Sequence, residues 1–243
     1  MKNIVLKKIG KAIKAVINYS NDKPYQSFMY NGKYIEGQLD TVRLYYHFGL
    51  SGSMKGKSLL DLGCNEGSLC LLAAQDGATQ VTGVEISRDI YLLAKERAKE
   101  AIVNIMYYND NVVDYIHKTN NKHDIVLLLA MFRHIHQYFM NNGGHAMPSN
   151  GRTYLLYNSY QTIILGHNNP VKKQFDEFIA QCISRANEFF ICSFNDHSGM
   201  IARHPTETRK YFETLTDRID VLDIYPLTSS NPEYTIIQIK LTH

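Results

Sequence analysis

The stretch that decides the fold is Leu59-Leu60-Asp61-Leu62-Gly63-Cys64-Asn65-Glu66-Gly67. Its apolar start predicts a short strand, and its two glycines predict a tight turn that leads into a helix. Glycine lets the backbone approach a bound ligand closely, and the first turn of a helix offers N–H groups that have no backbone partner. The stretch therefore predicts a ligand-binding turn at the carboxyl end of a strand.

Polar residues follow the next two predicted strands. Glu85 ends the second one, where a carboxylate can accept both hydroxyls of a ribose, as the acidic residue does in dinucleotide sites. Asn109 and Asp110 follow the third one and suit the edge of an adenine. The turn lacks the third glycine of the G-x-G-x-x-G pattern that an NAD-type site uses to hold a diphosphate. A nucleoside site without a diphosphate is the better interpretation.

Short apolar segments alternate with helical patterns along much of the chain. Nearly continuous apolar strands between helices indicate a parallel sheet that is covered on both faces. The last two predicted strands are joined by a link too short for a crossover helix, so they are expected to be antiparallel. The predicted strands are Ser58–Leu62, Gln80–Glu85, Ile102–Tyr108, Asp124–Ala130, Phe189–Phe194, Val221–Tyr225 and Tyr234–Leu241. The predicted helices are Leu39–Leu50, Ser68–Gln75, Arg88–Glu100, Val112–Lys118, Phe132–Met140, Arg152–Leu165, Pro170–Asn187 and Pro205–Thr216.

These patterns predict an α/β fold and a division of the chain into two parts. The fold is a doubly wound, mostly parallel sheet of about seven strands, with an antiparallel C-terminal pair and helices on both faces. Residues 1–55 are predicted to be an N-terminal extension and residues 56–243 the main domain. An insert at about residues 131–169 is longer than a simple connection and is expected to form a lid or an acceptor pocket.

The first 20 residues predict a basic amphipathic helix. Its apolar residues fall on one arc, and Lys7, Lys8, Lys11 and Lys14 fall on the opposite arc. Such a helix either packs on its own domain or docks on an anionic membrane or a polyanionic partner, and the pattern leaves both interpretations open.

The composition sets the cellular context. The four cysteines form no C-x-x-C pair, and no apolar stretch approaches the roughly 20 residues that a membrane-spanning helix needs. We therefore expect a cytoplasmic protein that is either free or peripheral to a membrane through residues 1–20. The net charge of +3 is too small to indicate nucleic-acid binding by itself.

The turn, the later acid and the Asn-Asp pair resemble, in this order, the class I S-adenosylmethionine-dependent methyltransferases. The form D-L-G-C-N-x-G is a variant of that family's first motif, with Asn65 in place of a commoner glycine, and the resemblance covers about residues 57–130. It implies S-adenosylmethionine as the cofactor. The implied contacts are Asp61, Gly63, Cys64 and Gly67 around the methionine part, Asn65 through its backbone, Glu85 on the ribose, Asn109, Asp110 and Ile86 near the adenine, and Ala130 and Met131 beside the methionyl arm.

Arg43 belongs to a predicted helix upstream of the turn. Some methyltransferases close a similar Gln- and Arg-bearing helix over the cofactor, which implies that Arg43 pairs with the methionyl carboxylate. A surface arginine is the alternative interpretation.

Candidate catalytic residues lie after the fourth and fifth strands, where open α/β sheets bind their ligands. His134 is the first candidate for a general base and His197 the second, although either could be only a wall residue of the cleft. His134 and His136 make a poor metal pair, because residues two apart on a helix point about 200° away from each other. We expect no metal.

The favoured function is methyl transfer to a hydroxyl or amine of a small molecule or saccharide, which could be lipid-linked. An RNA-nucleoside methyltransferase is a second hypothesis, weakened by the small net charge. A cofactor-binding partner subunit that has lost catalysis is a third. The sequence leaves the acceptor, the methylated atom and the oligomeric state open.

Overall fold

The computed structural model describes residues 23–30, 32–129, 131, 134–135, 138–139, 170–194, 205–226 and 234–242. The strands are β1 (Phe28–Tyr30), β2 (Lys33–Ile35), β3 (Ser58–Leu62), β4 (Gln80–Val84), β5 (Met106–Tyr108), β6 (His123–Leu129), β7 (Ala186–Phe194), β8 (Ile219–Pro226) and β9 (Tyr234–Leu241). The helices are α1 (Thr41–His47), α2 (Ser68–Gln75), α3 (Arg88–Glu100), α4 (Val112–Lys118), α5 (Pro170–Ser184) and α6 (Pro205–Glu213).

The strands after β2 form a sheet in the order β5-β4-β3-β6-β7-β9-β8. Strand β4 pairs in parallel with both β3 and β5, and β6 pairs in parallel with β7. Strand β9 pairs antiparallel with β7 and β8. The predicted α/β fold, with a mostly parallel sheet and an antiparallel closing pair, is confirmed. The short strands β1 and β2 form a separate antiparallel hairpin.

The described residues fall into two compact units, the first ending at Val112 and the second beginning at Val113. In the first unit, Leu59, Leu60 and Leu62 of β3 are fully buried, as the apolar pattern of this strand requires. In the second unit, the core includes the apolar residues of β6 and the buried face of α5. The predicted boundary at residues 55 and 56 stays a prediction.

The bounds of five predicted elements are confirmed to the residue: β3, α2, α3, α4 and β9. The predicted strand from Ile102 is too long, since β5 begins only at Met106. Ile102 has a φ of 55° and follows α3 in a left-handed turn, in which Val103 N–H donates to Ala98 O and Ile102 N–H to Lys99 O. Glycine usually occupies that position, so an isoleucine there does not indicate a turn.

The predicted helix end at Asn187 is also wrong, because α5 ends at Ser184 and β7 begins at Ala186. Arg185, between them, donates to Gln181 O at 2.7 Å, Ile116 O at 2.8 Å and Thr119 O at 2.7 Å. These carbonyls belong to helix ends, where they lack backbone donors. A tertiary contact of one arginine therefore ends the helix.

Several predicted segments lie outside the described residues, namely the basic helix at 1–20, the helix Arg152–Leu165 and most of the insert. Residues 134–135 and 138–139, within the predicted helix Phe132–Met140, are helical. Within the part of the chain that the structure describes, no helix combines the length and the apolar character needed to cross a membrane.

Candidate functional site

The turn between β3 and α2 is held against the end of β4. The N–H groups of Gly63 and Cys64 both donate to Val84 O, at 2.9 and 3.0 Å. The backbone is left-handed at Gly63, Asn65 and Gly67, with φ values of 81°, 52° and 77°. Glycine adopts this conformation without strain, and asparagine tolerates it better than most residues. The predicted tight turn is thus present, with two glycines where its geometry requires them.

Glu85 lies directly after β4 with only 7% of its surface exposed. Its Oε2 accepts Asn65 N–H at 3.1 Å, and its Oε1 accepts Ser87 N–H at 2.8 Å. Burial raises the pKa of Glu85, while the N–H donors oppose that rise. Each carboxylate oxygen can accept a further hydrogen bond, so the group can hold a diol while it keeps the turn in place.

Asn109 and Asp110 follow β5, as predicted. The Asn109 side-chain nitrogen donates to Glu85 O and Ile86 O, both at 2.9 Å, and so ties the loop after β5 to the loop after β4. Asp110 Oδ1 accepts Asn111 N–H at 2.9 Å. Ile86 is 63% exposed, which leaves an apolar side chain uncovered beside Glu85.

Four polar side chains lie beneath the turn, and we call them the floor cluster: Asp61, Cys64, Cys70 and Tyr107. Asp61 is 2% exposed, and the Cys70 thiol donates to its Oδ2 at 3.6 Å. Burial raises the pKa of Asp61 to about 7; the Cys70 hydrogen bond lowers it and the Glu85 carboxylate raises it further. Near pH 7, Asp61 is therefore present in comparable amounts in its neutral and ionised forms.

A second group of residues holds the turn from the N-terminal side, and we call it the strap cluster: Tyr25, Gln26, Glu66 and Arg97. Glu66 is 4% exposed. Its Oε1 accepts Tyr25 N–H at 3.2 Å, and its Oε2 accepts Gln26 N–H at 3.0 Å and Arg97 Nη1 at 3.1 Å. Gln26 Oε1 accepts Ser68 N–H at 3.2 Å, so Gln26 caps the start of α2.

The strap cluster was missed in the sequence. Its hydrogen bonds join positions 31 to 42 residues apart, and neither helical nor strand periodicity marks such pairs. The guanidinium of Arg97 also lies 3.9 Å from the ring centroid of Phe28, in β1. Tyr25 and Gln26 were assigned to the N-terminal extension, yet they make direct contacts with the turn and the start of α2.

The remaining predicted site residues have no described side-chain contact with the turn. Arg43 lies on α1 with an exposed side chain, and its backbone N–H donates to the capping residue Asp40. In the second unit, Met131 is half-buried and His134 is exposed. Ala130 and His197 lie outside the described residues.

The chemistry of the first-unit site is acidic and rich in acceptors. In the hydrogen bonds of the described residues, Asp61 and Glu85 receive backbone N–H groups and a thiol, but no lysine or arginine. Carboxyl groups without a protein cation favour a ligand that brings its own positive charge and hydroxyls. For a metal, the described residues hold no group of three His, Cys, Asp or Glu side chains that could bind one.

The comparison with protein families gives one match in this region. Residues 59–142 match a family described as a methyltransferase domain. Over 98 residues the chain is 33% identical to a ubiquinone biosynthesis O-methyltransferase from Salmonella paratyphi A, covering 40% of this chain and 40% of that protein. The chain therefore matches less than half the length of this curated relative.

Two solved structures resemble the whole chain more broadly. Magnesium protoporphyrin IX methyltransferase from Synechocystis PCC 6803, crystallised with bound SAH, has a TM-score of 0.52 at 15% identity and covers 98% of this chain and 99% of that one. The bifunctional kinase-methyltransferase WbdD has a TM-score of 0.56 at 11% identity and covers 94% of this chain and 46% of that one. At such identities the likeness shows a shared fold.

Proposed function

We propose that the chain is a class I S-adenosylmethionine-dependent methyltransferase that transfers a methyl group to a hydroxyl or amine of a small molecule or saccharide. The match of residues 59–142 to a methyltransferase domain supports the proposal. Bound S-adenosylmethionine supplies an activated methyl on a sulfonium. The chain's own residues bind this cofactor, align the acceptor and exclude water. Alignment and desolvation lower the barrier of such an in-line displacement.

The observation that carries the proposal is the carboxylate of Glu85. It is buried at the carboxyl end of β4 and already receives the N–H of Asn65 from the glycine turn. A ribose diol that donates to this carboxylate would lie beside the turn, with the uncovered side chain of Ile86 next to the adenine. The remaining cofactor contacts proposed are Asp61, Gly63, Cys64 and Gly67 for the methionine part, and Asn109 and Asp110 near the base.

Asp61 complements the methionine part by its charge. The amino group and the sulfonium of the cofactor are both cationic, and Asp61 has no described cationic partner in the protein. A cation nearby favours the ionised carboxylate, so the ligand would supply what the protein leaves out. Arg43, Ala130 and Met131 stay as further proposed contacts.

A hydroxyl is the first choice of acceptor. The support is the local likeness to a protein named as an O-methyltransferase, although it covers only 40% of either chain. The transfer forms a C–O bond, breaks the C–S bond and leaves S-adenosylhomocysteine, and the hydroxyl proton passes to a base or to water. His134 and His197 remain the candidate bases.

The cofactor site is tested by calorimetry with S-adenosylhomocysteine. We expect the wild-type protein to bind it, and Glu85→Gln to bind it about 10- to 100-fold more weakly, since bonds to a charged acceptor contribute about 1.5–3 kcal/mol. Glu96→Gln changes an exposed glutamate of α3 and is the matched control. A wild type that binds neither this ligand nor S-adenosylmethionine, or equal binding by Glu85→Gln, would contradict the proposal.

The acceptor class is tested by transfer of a tritiated methyl group from S-adenosylmethionine to separate pools of phenols, saccharides and RNA. Label in the phenol or saccharide pool supports the proposal. Label only in RNA would establish the nucleoside methyltransferase instead. Tight cofactor binding with no transfer to any pool would favour a partner subunit without catalysis.

A further inference from the structure

Tyr107 lies across a gap that a glycine leaves in the sheet. Asp61 of β3 pairs with Gly83 of β4, and Gly83 pairs with Tyr107 of β5, so these positions share one face of the sheet. A Cβ built on Gly83 would lie only 2.7 Å from Cδ1 and Cε1 of Tyr107. The ring therefore occupies the space above β4 and extends toward β3.

The far end of the Tyr107 side chain reaches the turn itself. A Cβ built on Gly67 would overlap the Tyr107 hydroxyl oxygen and would lie 3.1 Å from both Tyr107 Cζ and Ala94 Cβ. Gly67 is the left-handed residue from which α2 begins. Tyr107 thus contacts the point where the turn becomes a helix. Only glycine, which has no Cβ, leaves room for the tyrosine side chain at positions 67 and 83.

The hydroxyl of Tyr107 is buried and has no hydrogen-bond partner among the described residues. Burial keeps its pKa well above the ordinary value, so the group stays neutral. An unpaired buried hydroxyl costs about 1–3 kcal/mol, so a polar contact does not explain the position of the side chain. What the side chain supplies to the turn is the volume of its ring.

We infer that Tyr107 is a positioning residue whose ring fills the space between Gly83 and Gly67 and so holds the cofactor turn at its distance from β4. This inference rests on the proposed function. The turn bends through three left-handed residues, and the Tyr107 ring packs against the last of them, Gly67. Without the ring, Gly67 and the start of α2 can sink toward β4, while Glu85, anchored by Ser87 and Asn109, keeps its place.

The inference makes a ligand-specific prediction. Gly67 borders the proposed methionine end of the site, whereas Glu85 and Ile86 border the adenosine end. Loss of the ring should therefore weaken S-adenosylhomocysteine, which has the amino-acid part, more than methylthioadenosine, which lacks it. A loss of general stability would weaken both ligands alike.

The experiment measures the binding of these two ligands by calorimetry for wild type, Tyr107→Leu and Tyr107→Phe. Tyr107→Leu should lower the affinity for S-adenosylhomocysteine by about tenfold or more and that for methylthioadenosine by less than about threefold. Tyr107→Phe keeps the ring, and its affinities for both ligands should stay within about threefold of those of wild type. The matched control is Tyr108→Leu, which changes the neighbouring tyrosine, 43% exposed on the other face of β5.

Each other outcome has a defined meaning. Equal binding by Tyr107→Leu and wild type, or an equal loss for both ligands, would overturn the inference while the proposed function stands. A phenylalanine variant as weak as the leucine variant would also overturn it, because the hydroxyl would then be the working group. No binding by wild type would refute the proposed function itself. If Tyr107→Leu fails to fold by circular dichroism, Gly83→Ala, whose Cβ displaces the ring, replaces it in the same comparison.

Discussion

The strap cluster and the floor cluster both lie against the same turn, but they differ in how far the polar groups of their buried side chains are satisfied. In the strap cluster, the Glu66 carboxylate receives two backbone N–H groups and a guanidinium. In the floor cluster, Asp61 receives one thiol, and the Tyr107 hydroxyl has no partner among the described residues. Burial of charge is compensated on one side of the turn and left largely uncompensated on the other.

This difference separates stability from ligand recognition. A saturated buried network fixes one arrangement, and breaking it is costly. Buried acids without a cation are unfavourable in the free protein and are typical of functional sites, where the ligand completes them. We therefore expect substitutions in the strap cluster to act mainly on folding, and those in the floor cluster mainly on pH dependence and binding.

The largest effect is expected for Glu66→Ala. It leaves the buried guanidinium of Arg97 without its counter-charge and two backbone N–H groups without an acceptor, which should reduce the free energy of unfolding by about 3–5 kcal/mol. Urea denaturation measures it. Glu36→Ala removes the partner of Lys23 in a pair that is 65% and 47% exposed, and should change stability by less than about 1 kcal/mol. Equal losses in the two variants would show that the buried bonds of Glu66 stabilise the fold no more than an exposed ion pair does.

A smaller and pH-dependent effect is expected for Asp61→Asn. The pKa of Asp61 is 3.8 in its ordinary state and about 7 when folded, so the folded protein binds the extra proton between these values. Its contribution to stability is full below pH 4 and is lost as the pH rises through 7. Asparagine does not titrate, so its stability lacks this pH dependence. Between pH 5 and pH 8, the free energy of unfolding of the variant should therefore rise relative to that of wild type by more than about 1 kcal/mol, since one pKa unit equals about 1.4 kcal/mol. A stability difference that is constant over this range would show that Asp61 is ionised throughout.

The smallest effect is expected for Cys70→Ala, with Cys182→Ala as its control, since both thiols are fully buried. Each variant should lose about 1 kcal/mol, because each leaves a small cavity. Only Cys70→Ala removes the thiol that donates to Asp61. Because that hydrogen bond lowers the pKa of Asp61, its loss should raise the pKa further. The decrease of stability with rising pH should therefore extend to higher pH in Cys70→Ala alone. The same pH profile in both variants would show that the Cys70 thiol does not act on Asp61.

Local patterns predict most of the fold because they also mark where elements stop. Helix α2 starts after Gly67 and ends before Asp76-Gly77, and its bounds were predicted to the residue. The errors occur where a tertiary contact or an unusual residue replaces such a marker. Arg185 ends α5 through carbonyls that are distant in sequence, and Ile102 takes a left-handed position that glycine normally holds.

In the candidate site, too, some residues are marked by a local sequence pattern and others only by tertiary contacts. Asp61, Glu85 and the glycines of the turn occupy fixed places relative to strand ends, so one segment of sequence suffices to find them. Gln26, Arg97 and Tyr107 act on the turn from separate elements, and their residue types are as common in surface helices and strands as in sites. Only the pairing of β4 with β5 shows that Tyr107 lies opposite Gly83.

The hydrogen bond from Ser68 N–H to Gln26 bears on where this module can be cut. The match to the methyltransferase domain starts at residue 59, more than 30 positions after Gln26, whose side chain caps the start of α2. A fragment that begins at residue 59 would contain the glycine turn, but not the backbone N–H groups of Tyr25 and Gln26 that donate to Glu66. We therefore expect a fragment that starts before Pro24 to be more stable than one that starts at residue 59.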